Sequence, residues 1–192
     1  MRGRIIKESI DLFDKKGFSK TSIQDIVDTI GVTKGTFYYY FKSKQELLMD
    51  IHLNYIKELL KEQVDILKDE YISCQEKMKK LIYLIIQNIK VHGKSARVFT
   101  REVRHLDEEQ LILVNSYRRE FRINLQKLIE EGIEKGEFRD QKRSDIVIFG
   151  ILGMVNRSYN WYNPDGEVSE EELVNIYMDL ILNGIKMDTS ST

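Results

Sequence analysis

Residues 22–47, SIQDIVDTIGVTKGTFYYYFKSKQEL, constrain the fold more than any other stretch of this chain. Ser22 is a good N-cap, and Asp25 stands where it can close a capping box. Ile26, Val27 and Ile30 give the following helix one apolar face, and Gly31 ends it, because the residue just past a helix commonly needs a left-handed backbone. Thr33 then caps a second helix over 34–40, and Ser43 with Glu46 forms the capping signal for a third. A helix as short as 34–40 is not stable alone in water. It carries Lys34, Thr36, Tyr38, Tyr39 and Tyr40, groups that bond phosphates and base edges. Two short helices on a tight turn, the second lined with such groups, form a helix-turn-helix, whose second helix enters the major groove of DNA.

The remaining chain predicts more helices. There are one proline and eleven glycines in 192 residues, too few breakers for anything but long 3.6-residue periodicity. Helices are expected at 5–16, 22–30, 34–40, 44–68, 75–92, 95–106, 107–135, 144–162 and 169–185, an all-α chain of about nine helices. Along 75–92, Met78, Ile82, Ile85, Ile89 and His92 form one continuous face. The last two helices are separated by the turn Asn163-Pro164-Asp165-Gly166, and Ser169 with Glu172 is a further capping box. The expected organisation is a three-helix DNA-binding domain over 1–46, a helical body over 47–188, and a disordered tail at 189–192.

Charge supports this division. The net charge is only −1, but residues 1–46 hold nine Lys/Arg against six Asp/Glu, so the basic excess is concentrated in the head. A lone cysteine, Cys74, excludes an intramolecular disulfide and a thiolate metal cluster. The histidines at 52, 92 and 105 are scattered, and no phosphate loop, nucleophile elbow or His-Glu-x-x-His motif is present. Neither an enzyme nor a bound metal or cofactor is expected. The longest apolar run, 146–155, has ten residues, half of what a spanning helix needs, and no signal peptide opens the chain, so a cytoplasmic location is expected.

The helix over 169–185 is apolar on two sides, with Leu173, Ile176, Tyr177, Leu180 and Ile181 on one stripe and Val174, Met178 and Leu182 on another. Two apolar sides need two burial partners. Deep burial within one chain would satisfy them, and so would a second copy. Gly150 and Gly153 in the preceding helix would let another backbone approach closely. A homodimer is expected, with Gly150, Gly153, Tyr177, Leu180 and Ile181 at its interface. A two-fold pair would read half-sites about 34 Å apart.

The run Gly31-Val32-Thr33-Lys34-Gly35-Thr36-Phe37-Tyr38-Tyr39-Tyr40-Phe41-Lys42-Ser43-Lys44, followed by Glu46-Leu47-Leu48, closely resembles the signature of TetR-family transcriptional regulators. The resemblance implies a homodimer that binds a palindromic operator on double-stranded DNA, usually as a repressor, and is released by a small molecule. It implies DNA-facing roles for Thr33, Lys34, Gly35, Thr36, Tyr38 and Tyr39, phosphate contacts for Tyr40 and Lys44, and a further contact for Gln24. Tyr40 stands where many family members carry histidine.

The body is similar to the branch that responds to acyl-CoA thioesters, the repressors of fatty-acid or sterol breakdown. The similarity runs through 97–106, 118–121 and 160–166. Arg97, Arg101 and Arg104 form a basic stripe on a helix whose other side holds Phe99, Val103 and Leu106, and Arg118 falls on an apolar stripe with Phe121. Arginines so placed either pair with a carboxylate such as Glu102 or Glu120 or take an anionic ligand. His92, Phe99, Val103, Arg104, Arg118, Phe121 and Trp161 are the expected ligand-binding residues. A drug-like hydrophobic or aromatic compound, or control by a protein partner with no small-molecule effector, are the alternatives.

Overall fold

The computed structural model describes residues 1–140 and 143–183. Among them are eight α-helices and no strand: α1 (Arg2–Lys16), α2 (Ile23–Ile30), α3 (Lys34–Tyr40), α4 (Lys44–Leu67), α5 (Cys74–Arg101), α6 (Glu108–Glu134), α7 (Ser144–Arg157) and α8 (Glu170–Asn183). Short 3-10 turns lie at Val103–His105 and Ser158–Asn160. The tail expected at 189–192 lies outside the described residues. The chain forms two compact units. The first comprises Met1–Lys61 and His92–Glu120; the second comprises Glu62–Val91 and the described residues from Phe121 onward. Helices α4, α5 and α6 each contribute residues to both.

In the first unit, local chemistry sets the three opening helices. Ser22 accepts from the Asp25 N–H at 3.0 Å, and the Asp25 carboxylate accepts from the Ser22 N–H at 2.7 Å, so the capping box is complete. The Ser22 backbone N–H, then its hydroxyl, hold the Asp25 carboxyl down at about pKa 2. Gly31 takes the left-handed conformation, φ 74°, and its N–H closes the end of α2. Helix α3 has seven residues and owes its persistence to packing: Phe37 and Phe41 are buried beside Ile26, Val27 and Ile30 in the hydrophobic interior. Each such side chain contributes on the order of 2 kcal/mol when taken from water. Phe13 and Phe18 meet edge to face at 5.3 Å and pin the loop after α1.

The two helices expected over 75–92 and 95–106 are both present within α5, joined across a kink at His92 (φ −126°, ψ 27°), where the first was expected to end. Gly93 follows the irregular residue, and its low helix propensity suits a kink there. The second half ends at Arg101, earlier than expected.

In the second unit, Met78, Ile82, Ile85 and Ile89 are buried as their spacing predicts, with Leu125, Leu128, Ile148, Ile151, Val155, Leu173 and Val174 also buried. Gly132 permits a tight return at the end of α6. A Cβ there would lie 2.2 Å from the Phe138 ring, and Phe138 N–H donates to the Gly132 carbonyl at 3.1 Å. Cys74 is buried, and burial pushes its thiol pKa up, which keeps it protonated and unreactive.

Candidate nucleic-acid interface and effector site

Helix α3 presents an outward face of hydrogen-bonding groups. Thr33, Lys34 and Gly35 are exposed, and so are Tyr38 (53%) and Tyr39 (82%), while Thr36 and Tyr40 are half-buried. Thr33 caps the helix by accepting from Thr36 N–H at 3.3 Å, and the two threonine hydroxyls lie 3.2 Å apart. The Tyr39 and Tyr40 rings meet edge to face at 4.9 Å, which orients both phenols without burying them. A Cβ on Gly35 would meet only Thr33 Oγ1 at 3.5 Å, so this chain's own packing tolerates a side chain there. Gln24, at the start of α2, is exposed and donates to Asp28 at 2.6 Å.

Lys44 departs from the expectation of an open phosphate contact. Its ammonium donates to the carbonyls of Phe18 (2.7 Å) and Thr21 (2.6 Å) and lies 4.3 Å from the Phe18 ring centroid. Burial lowers its pKa. The side chain ties the loop between α1 and α2 to the start of α4, so two of its three N–H groups are committed to the fold. The sequence carries no mark of this, because the partners lie 26 and 23 residues away.

The expected effector residues divide. Phe99 and Arg118 come together: the Arg118 guanidinium lies 4.3 Å from the Phe99 ring centroid, and its Nη2 donates to the Phe99 carbonyl at 3.1 Å. Two residues of α4 complete this cluster, Tyr55 at 4.8 Å and His52 at 5.1 Å between ring centroids with Phe99. Neither was singled out from the sequence, although His52 falls on the apolar stripe of α4 with Leu48, Tyr55 and Leu59. It is fully buried, and neither ring nitrogen has a hydrogen-bond partner. Leaving such groups unpaired costs about 1–3 kcal/mol each. Burial, with the nearby Arg118 charge, pushes its pKa down to about 3, so the ring is neutral at physiological pH.

Three expected effector residues, His92, Arg104 and Trp161, do not join this cluster. His92 is exposed, because the kink interrupts the rotation that would have carried it onto the Met78–Ile89 face. Arg104 is exposed in the 3-10 turn beyond the end of α5, so it does not extend a stripe with Arg97 and Arg101. Trp161 is 56% exposed, its ring 6.1 Å from that of Tyr162. Val103 is half-buried in the same turn as Arg104. Phe121 is buried in the second unit, where its carbonyl accepts from Gln63 at 2.9 Å.

Arg97 and Arg101 take the carboxylate alternative, and the carboxylate is Asp14 of α1. Arg97 binds it in a two-bond fork (2.9 and 2.7 Å), and Arg101 reaches its backbone carbonyl at 2.9 Å and its carboxylate at 3.3 Å. The hydrogen bond from Arg97 holds the Asp14 pKa below its ordinary value against the opposing effect of burial. Lys94 pairs with Asp11 at 2.8 Å, and the His105 ring stacks on Phe18 at 5.2 Å. The second half of α5 is therefore bound along α1 and the loop that follows it.

In the second unit, Gly150, Gly153 and Leu180 are exposed and Ile181 is half-buried. A Cβ on either glycine would meet nothing within 4 Å. Ile146 and Phe149 are also exposed and share the outward side of α7 with these glycines; Ile176 and Leu180 share that of α8. Tyr177, also expected at the interface, is buried within the unit, where its phenol pairs with Ser158 at 2.7 Å.

Comparison with known proteins bears on both regions. The profile described as "Bacterial regulatory proteins, tetR family" matches residues 5–51, and "Tetracyclin repressor-like, C-terminal domain" matches residues 71–185. The HTH-type transcriptional repressor KstR2 of Mycolicibacterium smegmatis is 26% identical over 185 residues, covering 96% of this chain and 90% of that protein. The crystal structure of PfmR, a TetR family transcriptional regulator from Thermus thermophilus, has a TM-score of 0.88 at 28% identity, over 96% of this chain and all of its own. AibR, solved in complex with isovaleryl coenzyme A and operator DNA, has a TM-score of 0.83 at 23% identity, over 95% of this chain and 98% of its own.

Proposed function

From the premise that the chain belongs to the TetR family of bacterial regulatory proteins, and so is a ligand-responsive, DNA-binding transcriptional regulator and not an enzyme, we propose that it is a homodimeric repressor released from a palindromic operator by an acyl-CoA thioester. The observation that carries the DNA-binding part is the capped helix α3, which turns Thr33, Lys34, Tyr38 and Tyr39 outward. Residues 1–46 are the DNA-binding domain and 47–188 the effector and dimerisation domain. Gln24, Thr33, Lys34, Gly35, Thr36, Tyr38, Tyr39 and Tyr40 contact the duplex; Lys44 supports them from within and retains one N–H for phosphate.

The exposed apolar surfaces of α7 and α8 support pairing with a second copy, with Gly150 and Gly153 allowing close approach. The effector class is supported by the similarity to KstR2 and by the likeness to AibR, which was solved with a coenzyme A ester. The Phe99–Arg118 cluster adds an aromatic wall and a cation of the kind an acyl ester would use. Phe99, Arg97 and Arg101 belong to one stretch of α5, so a ligand that displaces Phe99 also pulls on Asp14 in α1. A near-complete switch needs about 10⁴-fold, or about 5.5 kcal/mol, of differential affinity between the two states. No described helix is long and apolar enough to cross a membrane, and the protein acts in the cytoplasm on this reading.

The test is operator binding followed by fluorescence anisotropy, with the binding sequence obtained by selection from genomic fragments. A dimer on a palindrome, dissociated by acyl-CoA thioesters but not by free coenzyme A, is the expected result. A monomer indifferent to duplex DNA at low salt would overturn it.

A further inference from the structure

His52 lacks an explanation in the fold. A leucine or phenylalanine on the same stripe of α4 would fill comparable space with no unpaired polar atoms. Four other buried polar side chains have partners: Gln63 on the Phe121 carbonyl, Asn88 on the Leu84 carbonyl, Ser158 on Tyr177 and Thr21 on the Gly17 carbonyl. The Ser9 hydroxyl also lacks one, but it is a small group within α1. His52 presents two unpaired nitrogens, fully buried, against Phe99 and close to Arg118. Unpaired buried groups of this kind recur where a partner arrives with a ligand.

We propose that His52 is a recognition residue for the effector, its ring N–H donating to the acyl carbonyl oxygen of the ligand. This rests on the thioester reading above and adds to it the atom that is read. The choice of oxygen follows from the surroundings. A neutral imidazole brings no charge to offset a phosphate, whereas it is well matched to an uncharged carbonyl. The aromatic rings of Phe99 and Tyr55 beside it suit the acyl chain that such a carbonyl carries. His52 is fully buried and the 5.1 Å between its ring centroid and that of Phe99 leaves no room for an atom between them, so an oxygen reaches it only when its packing opens, as it would if Phe99 moved. Recognition and displacement of the α5 segment that carries Phe99 are then one event.

The experiment compares wild type with His52→Leu and His52→Gln. Each protein is bound to operator DNA and titrated with thioesters from acetyl- to palmitoyl-CoA, including isovaleryl-CoA. The most effective one is then paired with its S-alkyl-CoA thioether, which lacks the carbonyl. Release is read as the concentration that halves each variant's own operator complex. Wild type prefers the thioester at least tenfold, His52→Leu loses that preference while gaining thermal stability, and His52→Gln keeps part of it. Should His52→Leu fail to fold, His52→Phe carries the same comparison. Equal preference in wild type and His52→Leu, or none in wild type, would overturn the role of His52 alone and leave a core histidine solvated by a trapped water. Failure of every thioester to release wild type would overturn the effector class and this inference with it.

Discussion

Helix α3 and the pair α7–α8 both turn residues outward that a folded chain has no internal use for, but of opposite chemistry. On α3 the exposed groups are hydroxyls, phenols and an ammonium; on α7 and α8 they are Ile146, Phe149, Ile176 and Leu180 with two uncrowded glycines. A polar face of this kind offers hydrogen bonds and charge, so it suits a hydrated, charged partner and responds to salt. An apolar face gains from excluding water and suits a permanent partner with the same need. On the proposed reading, one chain thus separates a partner it must be able to leave from one it keeps.

The sharpest way to break this contrast is to charge the apolar face. Phe149→Lys is expected to give monomers in sedimentation velocity and to reduce operator affinity at least about 100-fold, since the second half-site is then no longer bound intramolecularly. A dimer of wild-type affinity would remove the second copy from α7.

A smaller effect is expected on the polar face. Lys34 is exposed, and replacing it with alanine removes one charge near the duplex. Operator affinity should fall several-fold, and the slope of log affinity against log salt should flatten by about one, with the dimer intact. An unchanged slope would mean that Lys34 does not meet phosphate.

Lys44→Ala sharpens the boundary between face and interior. Its two carbonyl partners, Phe18 and Thr21, lose their donor, so the expected loss is one of stability, about 1–2 kcal/mol by chemical denaturation. The salt slope should change by less than in Lys34→Ala. A full unit of flattening with no loss of stability would restore Lys44 to the open face.

How far each feature was legible follows from the range of the interactions behind it. The caps at Ser22 and Thr33 and the stop at Gly31 act over three or four residues, and sequence spacing contains them whole. The burial of Met78, Ile82, Ile85 and Ile89 follows from periodicity within one helix. Lys44, Asp14 and His52 behave otherwise. The partner of Arg97 is 83 residues away, so the basic stripe was visible and its carboxylate was not. His92 shows a subtler failure, where a single irregular residue rotated the end of a face that was correct for four members. His52 was readable as a polar residue on an apolar stripe; that no group among the described residues answers it is a property of three-dimensional packing alone.

The smallest expected effect concerns Asp14, a polar group that, unlike those of α3, is fully engaged inside its own unit. Its pKa is lowered in the folded state, chiefly by the Arg97 hydrogen bond. A carboxyl with a depressed folded pKa contributes stability that is present above its unfolded pKa of about 3.9 and is lost as pH falls toward the folded value. Asp14→Asn should therefore cost about 1 kcal/mol at neutral pH, discounted because Arg97 is 37% exposed, and the difference from wild type should shrink below about pH 4. Denaturant melts of both proteins from pH 3 to pH 7 check this. Because Arg97 and Arg101 share the segment that carries Phe99, the same variant should also blunt release by thioester more than it weakens operator binding. The reverse order would place Asp14 in the presentation of α3 and leave the transmission of the effector signal to another contact.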